Sequence, residues 1–219
     1  MTQSPPQKRA SGRSLLRVEL LLLFGVLPPV LGFLCPPPAW IPVLWVTAIA
    51  VTWTMRQRPA TDAPPAASPQ PDGHLRRILV RFVVLAVASS LAMWLLQPTA
   101  FLQLPRRNPS LWVLIVVLYP LLSAVPQEVL FRRWFFRRYA TIFGDDRWLQ
   151  AVSSLCFGWA HVVMRNGLAV ALTVAGGWLF GGTYRRSRSL GLVCLEHALY
   201  GDLIFTVGLG QYFLHGALH

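Results

Sequence analysis

Seven apolar runs dominate the chain, at residues 18–34, 39–55, 78–96, 111–131, 148–164, 167–184 and 190–214. Each has about 17–25 residues, and at roughly 1.5 Å per residue such a helix crosses about 30 Å of hydrocarbon. A 219-residue chain has no soluble core large enough to hide so much apolar surface. Composition agrees: 54% of residues are hydrophobic and 13% are charged, about half of the roughly 25% charged share of soluble domains. The same numbers exclude a disordered chain. The sequence therefore predicts an all-α, polytopic membrane protein of about seven transmembrane helices, with the lipid bilayer as its first partner. The net charge of +12 does not imply a nucleic-acid partner, because the basic residues flank the apolar runs and form no continuous stripe. Cys35, Cys156 and Cys194 fit neither a disulfide framework nor a zinc motif.

The runs divide into three regions. Residues 1–55 hold a basic tail and two apolar segments that read as a membrane hairpin; a signal peptide is the competing reading of the first. Residues 56–77 form a Pro/Ala-rich linker, low in complexity across 59–69 and expected to lack structure. Residues 78–219 supply a five-helix core. Seventeen basic residues lie at one set of segment boundaries, against three (Arg106, Arg107 and Arg165) at the other. The positive-inside rule then predicts a multi-pass protein of the cell (inner) membrane, N-terminus cytoplasmic and C-terminus on the opposite side.

Ionisable groups inside a bilayer cost at least ~2.5–3.5 kcal/mol each at a helix centre and usually serve function. Glu128 lies in the fourth run, His161 in the fifth, and Glu196, His197 and Asp202 in the seventh. Helix rise puts Glu128, His161 and His197 at depths of about 15, 20 and 12 Å from the basic side, so three helices bring them to one layer. Arg132 follows Glu128 by four residues, on the same helical face, where the two can pair. A carboxylate beside an imidazole can deprotonate water, and a second imidazole can donate to the oxyanion formed when that water attacks an amide. Neither a Ser-centred elbow nor a His-Glu-x-x-His zinc motif is present. The expected cofactor is none; the alternative is a catalytic zinc held by Glu128, His161 and His197 with one open position.

Three blocks of these residues resemble the CPBP family of intramembrane endopeptidases, also called Abi, which includes the type II CAAX prenyl endopeptidases. Pro126-Gln127-Glu128-Val129-Leu130-Phe131-Arg132 resembles the family's Glu-Glu-x-x-x-Arg. Phe157-Gly158-Trp159-Ala160-His161 matches its Phe-x-x-x-His, and His197-Ala198-Leu199-Tyr200-Gly201 resembles its His-x-x-x-Asn/Asp. The likeness spans roughly residues 110–205. It implies a helical membrane core with a water-filled cavity and hydrolysis of a membrane-associated protein or peptide. By position it makes Glu128 and His161 the water-activating pair, His197 the oxyanion donor, and Arg132 the residue that orients the carboxylate.

The sequence departs from that pattern twice. Gln127 stands where the first glutamate of the pair belongs, and a glutamine positions water without accepting its proton at neutral pH. Our reading gives the role to Glu128, which keeps its spacing to Arg132. Gly201 replaces the Asn/Asp of the third motif. Asp202 is next, about 140° off the face of His197 on an ideal helix, unless a distortion at Gly201 swings it in. These departures keep a second class open, a non-catalytic membrane scaffold or maturation factor. A proton-coupled transporter is a third class, weakened by the absence of repeated halves. Glu196 reads as structural, and the Gly177–Gly181 pair as a close helix contact.

Overall fold

The computed structural model describes residues 6–57 and 71–213, and among them there are helices and no strand. Helix α1 has α-helical parts Pro6–Leu20 and Leu27–Leu34 joined by a wider π-helical stretch, Leu21–Val26. Next come α2 (Trp40–Arg56), α3 (Pro71–Leu96) and α4 (Pro109–Phe143). A short helical turn, Gln103–Arg107, links α3 to α4, and the long helices after α4 are α5 (Asp146–Ala160), α6 (Gly167–Ser187) and α7 (Leu190–Val207). The low-complexity stretch at 59–69 lies outside the described residues. Residues 71–77, expected in the linker, are the first turns of α3.

Among the described residues, six helices are long and apolar enough to cross a membrane: α1 over Gly12–Leu34, α2, α3, α4, α6 and α7. The run at 148–164 differs from expectation. Its α-helix, α5, has 15 residues, about 22 Å at 1.5 Å per residue. It then tightens into a 3₁₀ turn, His161–Met164. The chain is a multi-pass, all-α membrane protein, and its outward surface is what lipid requires. Large apolar side chains such as Val80, Val84 and Leu95 of α3 and Val113 and Val117 of α4 stand exposed.

Side-chain caps mark where several helices begin. Asn108, Asp145, Asn166 and Ser189 each accept a backbone N–H from the first turn of α4, α5, α6 and α7, satisfying donors that a helix leaves unpaired. Helix α4 is irregular inside. Pro120 and Pro126 lack the N–H that an α-helix needs, and the backbone widens over Pro120–Ala124 and Val129–Trp134. Between these stretches a single α-turn, Val125–Glu128, carries Gln127 and Glu128. Wide turns of this kind free carbonyls and re-aim side chains.

The first two helices use such carbonyls. The Trp45 indole of α2 donates to the Leu122 carbonyl of α4 at 3.1 Å, and the Trp159 indole of α5 donates to the Gly25 carbonyl of α1 at 2.7 Å. Glu19 of α1 accepts from Arg138 Nε (2.8 Å) and Tyr139 Oη (3.1 Å) of α4, so its carboxylate docks α1 on the bundle. Thus α1 and α2, expected as a hairpin beside the body, each lie against it. Phe24 and Ala48 belong to the same buried cluster as Phe131, Phe135, Phe157 and Phe180. Helices α5 and α6 form the tightest pair. A Cβ on Gly158 would fall 2.1 Å from Val174, and one on Gly177 would fall 3.2 Å from the backbone of Ser154.

Candidate active site

The α-turn at Gln127–Glu128 sends two adjacent side chains to opposite destinations. Glu128 is fully buried. Its Oε2 pairs with Arg132 Nε at 3.2 Å, and its Oε1 lies 2.8 Å from His197 Nδ1. A carboxylate oxygen accepts, so His197 Nδ1 carries the proton of that bond. Arg132, also fully buried, donates to Ser153 Oγ at 2.9 Å and to the carbonyls of Phe131 (3.1 Å) and Gly177 (3.2 Å). Its guanidinium lies 5.1 Å from the centre of the Phe157 ring and 5.9 Å from that of Phe180. The close approach of α6 to α5 at Gly177 thus also supplies a carbonyl to this cation. Buried charges survive only when matched in this way.

Gln127, by contrast, is half-buried and lines a cavity of about 930 Å³. Its Nε2 donates to Ser123 Oγ at 2.9 Å, while its Oε1 has no partner. All seven helices contribute to the cavity wall, which is mostly apolar. Its polar lining includes Tyr119, Ser123, Gln127, His161, His197 and Tyr200. Glu128 and Arg132 lie behind this wall.

His161 sits where α5 gives way to the 3₁₀ turn. Its Nδ1 lies 2.8 Å from the Phe157 carbonyl. A carbonyl only accepts, so Nδ1 bears the hydrogen and, in the neutral ring, Nε2 keeps its lone pair. His197 is held from three sides. Glu128 takes its Nδ1, Phe180 stacks on its face with ring centres 4.6 Å apart, and Tyr119 Oη lies 2.9 Å from its Nε2. Phe157 stands edge-on to both histidines, its ring centre 4.9 Å from that of His161 and 5.6 Å from that of His197.

The residues expected from sequence therefore separate into two groups. Glu128, Arg132 and His197 form one buried network. Gln127, His161 and His197 share the cavity, and His197 belongs to both. The pairing expected between Glu128 and His161 is replaced by one between Glu128 and His197. Gly201 lines the cavity, while Asp202 does not. Helix α7 runs unbroken from Leu190 to Val207, so no distortion swings Asp202 towards His197. Gly201 matters for another reason: a Cβ there would fall 2.1 Å from the Tyr119 ring. The absent side chain makes room for Tyr119 to reach His197. Tyr119 escaped the sequence reading. Two helical turns before Gln127, across the widened stretch of Pro120–Ala124, its register on the helix face is not that of a regular helix.

The zinc alternative needs three ligands around one point. Among the described residues no three His, Cys, Asp or Glu side chains converge so, and Arg132 and His197 engage the two oxygens of Glu128. As arranged, the described residues do not fit that ion.

Comparison with known proteins gives one match. Residues 109–201 match the Rce1-like family model, described as type II CAAX prenyl endopeptidase Rce1-like. This segment holds all three motifs, and the matched model agrees with the family they resemble. No curated protein and no solved structure matches the chain.

Proposed function

Taking as premise that residues 109–201 are a CAAX-protease-like membrane unit, we propose that the protein is an intramembrane endopeptidase. It cleaves a membrane-associated protein or peptide with water as the nucleophile. The observation that carries this reading is the convergence of Gln127, His161, His197 and Tyr119 on one largely apolar cavity. An apolar peptide segment fits such a wall, and the polar groups mark where its scissile amide would sit.

The roles follow from the bonds already described. A turn of the Gln127 amide on the cavity wall brings its buried, unpartnered Oε1 to accept a hydrogen bond from water. His161 Nε2 takes the proton of that water as its oxygen attacks the amide carbon. The oxyanion that forms accepts a hydrogen bond from the Tyr119 hydroxyl, which turns from the His197 Nε2 lone pair towards the new charge, while His197 holds that hydroxyl in place before the attack. As the tetrahedral species collapses, His161 returns the proton to the leaving nitrogen, and the C–N bond breaks. Glu128 acts one layer back: with Arg132 it fixes the orientation of His197, as the buried carboxylate does in a hydrolytic triad. We place the protein in the cell membrane with the arginine-rich face cytoplasmic.

The test is membrane proteomics of a His161→Ala strain against wild type. One membrane-associated protein should accumulate uncut in the variant. Identical proteomes would contradict hydrolysis. A second reading is favoured by Gln127 itself, since the residue facing the cavity cannot take a proton: the fold would bind a membrane segment without cutting it. In that case His161→Ala still complements a deletion strain.

A further inference from the structure

A second buried carboxylate lies outside the proposed catalytic groups, at the arginine-rich end of the bundle. Glu196 of α7 is fully buried. Its Oε1 accepts from Arg81 of α3 at 3.4 Å and from Tyr200 Oη at 3.0 Å, and its Oε2 has no hydrogen-bond partner. Around it, cations outnumber anions. Arg77 precedes Arg81 by four residues on one face of α3, and Arg185 and Arg186 occupy the last turn of α6. Helices α3 and α6 touch, and Arg77, Arg81 and Arg185 all lie close enough to Arg186 to repel its charge, with Glu196 the one carboxylate that offsets them. Arg185 is engaged by Gln150 at 3.0 Å. Arg186 Nε is buried and has no hydrogen-bond partner, although the side chain as a whole is only part-buried. Other arginines of this face are matched: Arg188 pairs with Asp146, and Arg138 with Glu19.

Four guanidinium groups share these ends of α3 and α6 with one buried carboxylate, which Arg81 engages, and the cluster is short of negative charge. We propose that Arg77, Arg81 and Arg186, between α3 and α6, form a binding site for a phosphate anion. Guanidinium forks match phosphate oxygens two at a time. The exposed apolar side chains of α3 just beyond Arg81, Val83 and Val84, give a phospholipid a surface for its acyl chain. An anionic headgroup supplies the missing charge at the depth where headgroups lie. The bound anion would also reach the cavity: Arg81 holds Glu196, Glu196 holds Tyr200, and Tyr200 lines the cavity wall.

Native mass spectrometry of the detergent-purified full chain tests this, independently of any peptidase activity. Phosphatidylglycerol, phosphatidylcholine and inorganic phosphate are titrated separately. One phosphatidylglycerol should bind about tenfold or more tighter than phosphatidylcholine, and Arg77→Gln/Arg186→Gln should remove most of that preference. Arg13→Gln/Arg17→Gln changes the net charge equally at exposed positions of α1 and should leave the preference intact. Inorganic phosphate that displaces the lipid at millimolar concentration identifies free phosphate as an alternative source for the same site. Equal binding of the two lipids, or equal losses in the two double variants, overturns the proposal. Circular dichroism of each variant confirms that the fold is retained.

Discussion

Gln127 and Glu128 are neighbours in one α-turn, yet they work in different surroundings. Glu128 is sealed between α4, α5 and α7, each carboxylate oxygen engaged by Arg132 or His197. Gln127 lines the cavity, its amide oxygen buried and without a hydrogen-bond partner. The difference teaches that a charge within a membrane bundle goes where it is matched. Arg132, Ser153 and the Gly177 carbonyl build a polar shell in one direction only, and the ionisable residue of the pair occupies it. The cavity side, with no cation to match a carboxylate, carries the neutral amide.

Substitution separates the two sides. The largest effect is expected at Arg132. Arg132→Ala leaves Glu128 buried against a single imidazole and should destabilise the fold by about 3–5 kcal/mol, read as a collapse of the thermal unfolding midpoint in detergent. Gln127→Ala should change that midpoint little; an equal loss would erase the distinction. Next is His161→Ala. Cleavage should fall about 10²–10⁴-fold, while stability drops by only about 1 kcal/mol for the lost bond to the Phe157 carbonyl. Tyr119→Phe should slow cleavage about 10²-fold with a folded protein, and full activity would remove Tyr119 from the site. Gly201→Ala should cost about 1–3 kcal/mol through the clash with the Tyr119 ring, and Tyr119→Ala should relieve most of it. Glu196→Gln is expected to be mildest, below about 1 kcal/mol, since Tyr200 can still donate to the amide oxygen and Arg81 reaches the surface.

Much of the fold was legible because membrane crossing leaves a strong mark in sequence. The apolar runs gave the all-α class, and each became a helix near its expected place. The fifth ends differently from expectation, because hydropathy does not distinguish an α-helix from the 3₁₀ turn that follows it at His161. The docking of α1 and α2 was not legible. It rests on indole N–H groups of Trp45 and Trp159 meeting carbonyls of π-helical stretches, and those stretches have no sequence period. Within the site, the four-residue spacing of Glu128 and Arg132 predicted their pairing. The partner of the carboxylate was not predictable, because helix rise gives depth but no rotation. Depth alone placed His161 and His197 in one layer; the bends in α4 decided which of them Glu128 would meet.

The division between positions 127 and 128 can be measured directly by labelling membranes with an apolar carbodiimide and mapping modified carboxyls by mass spectrometry. In wild type, Glu128 should stay unmodified, and in the Gln127→Glu variant the new carboxyl should react while Glu128 still does not. Modification of Glu128 in wild type would place it on the cavity and contradict this account of the site.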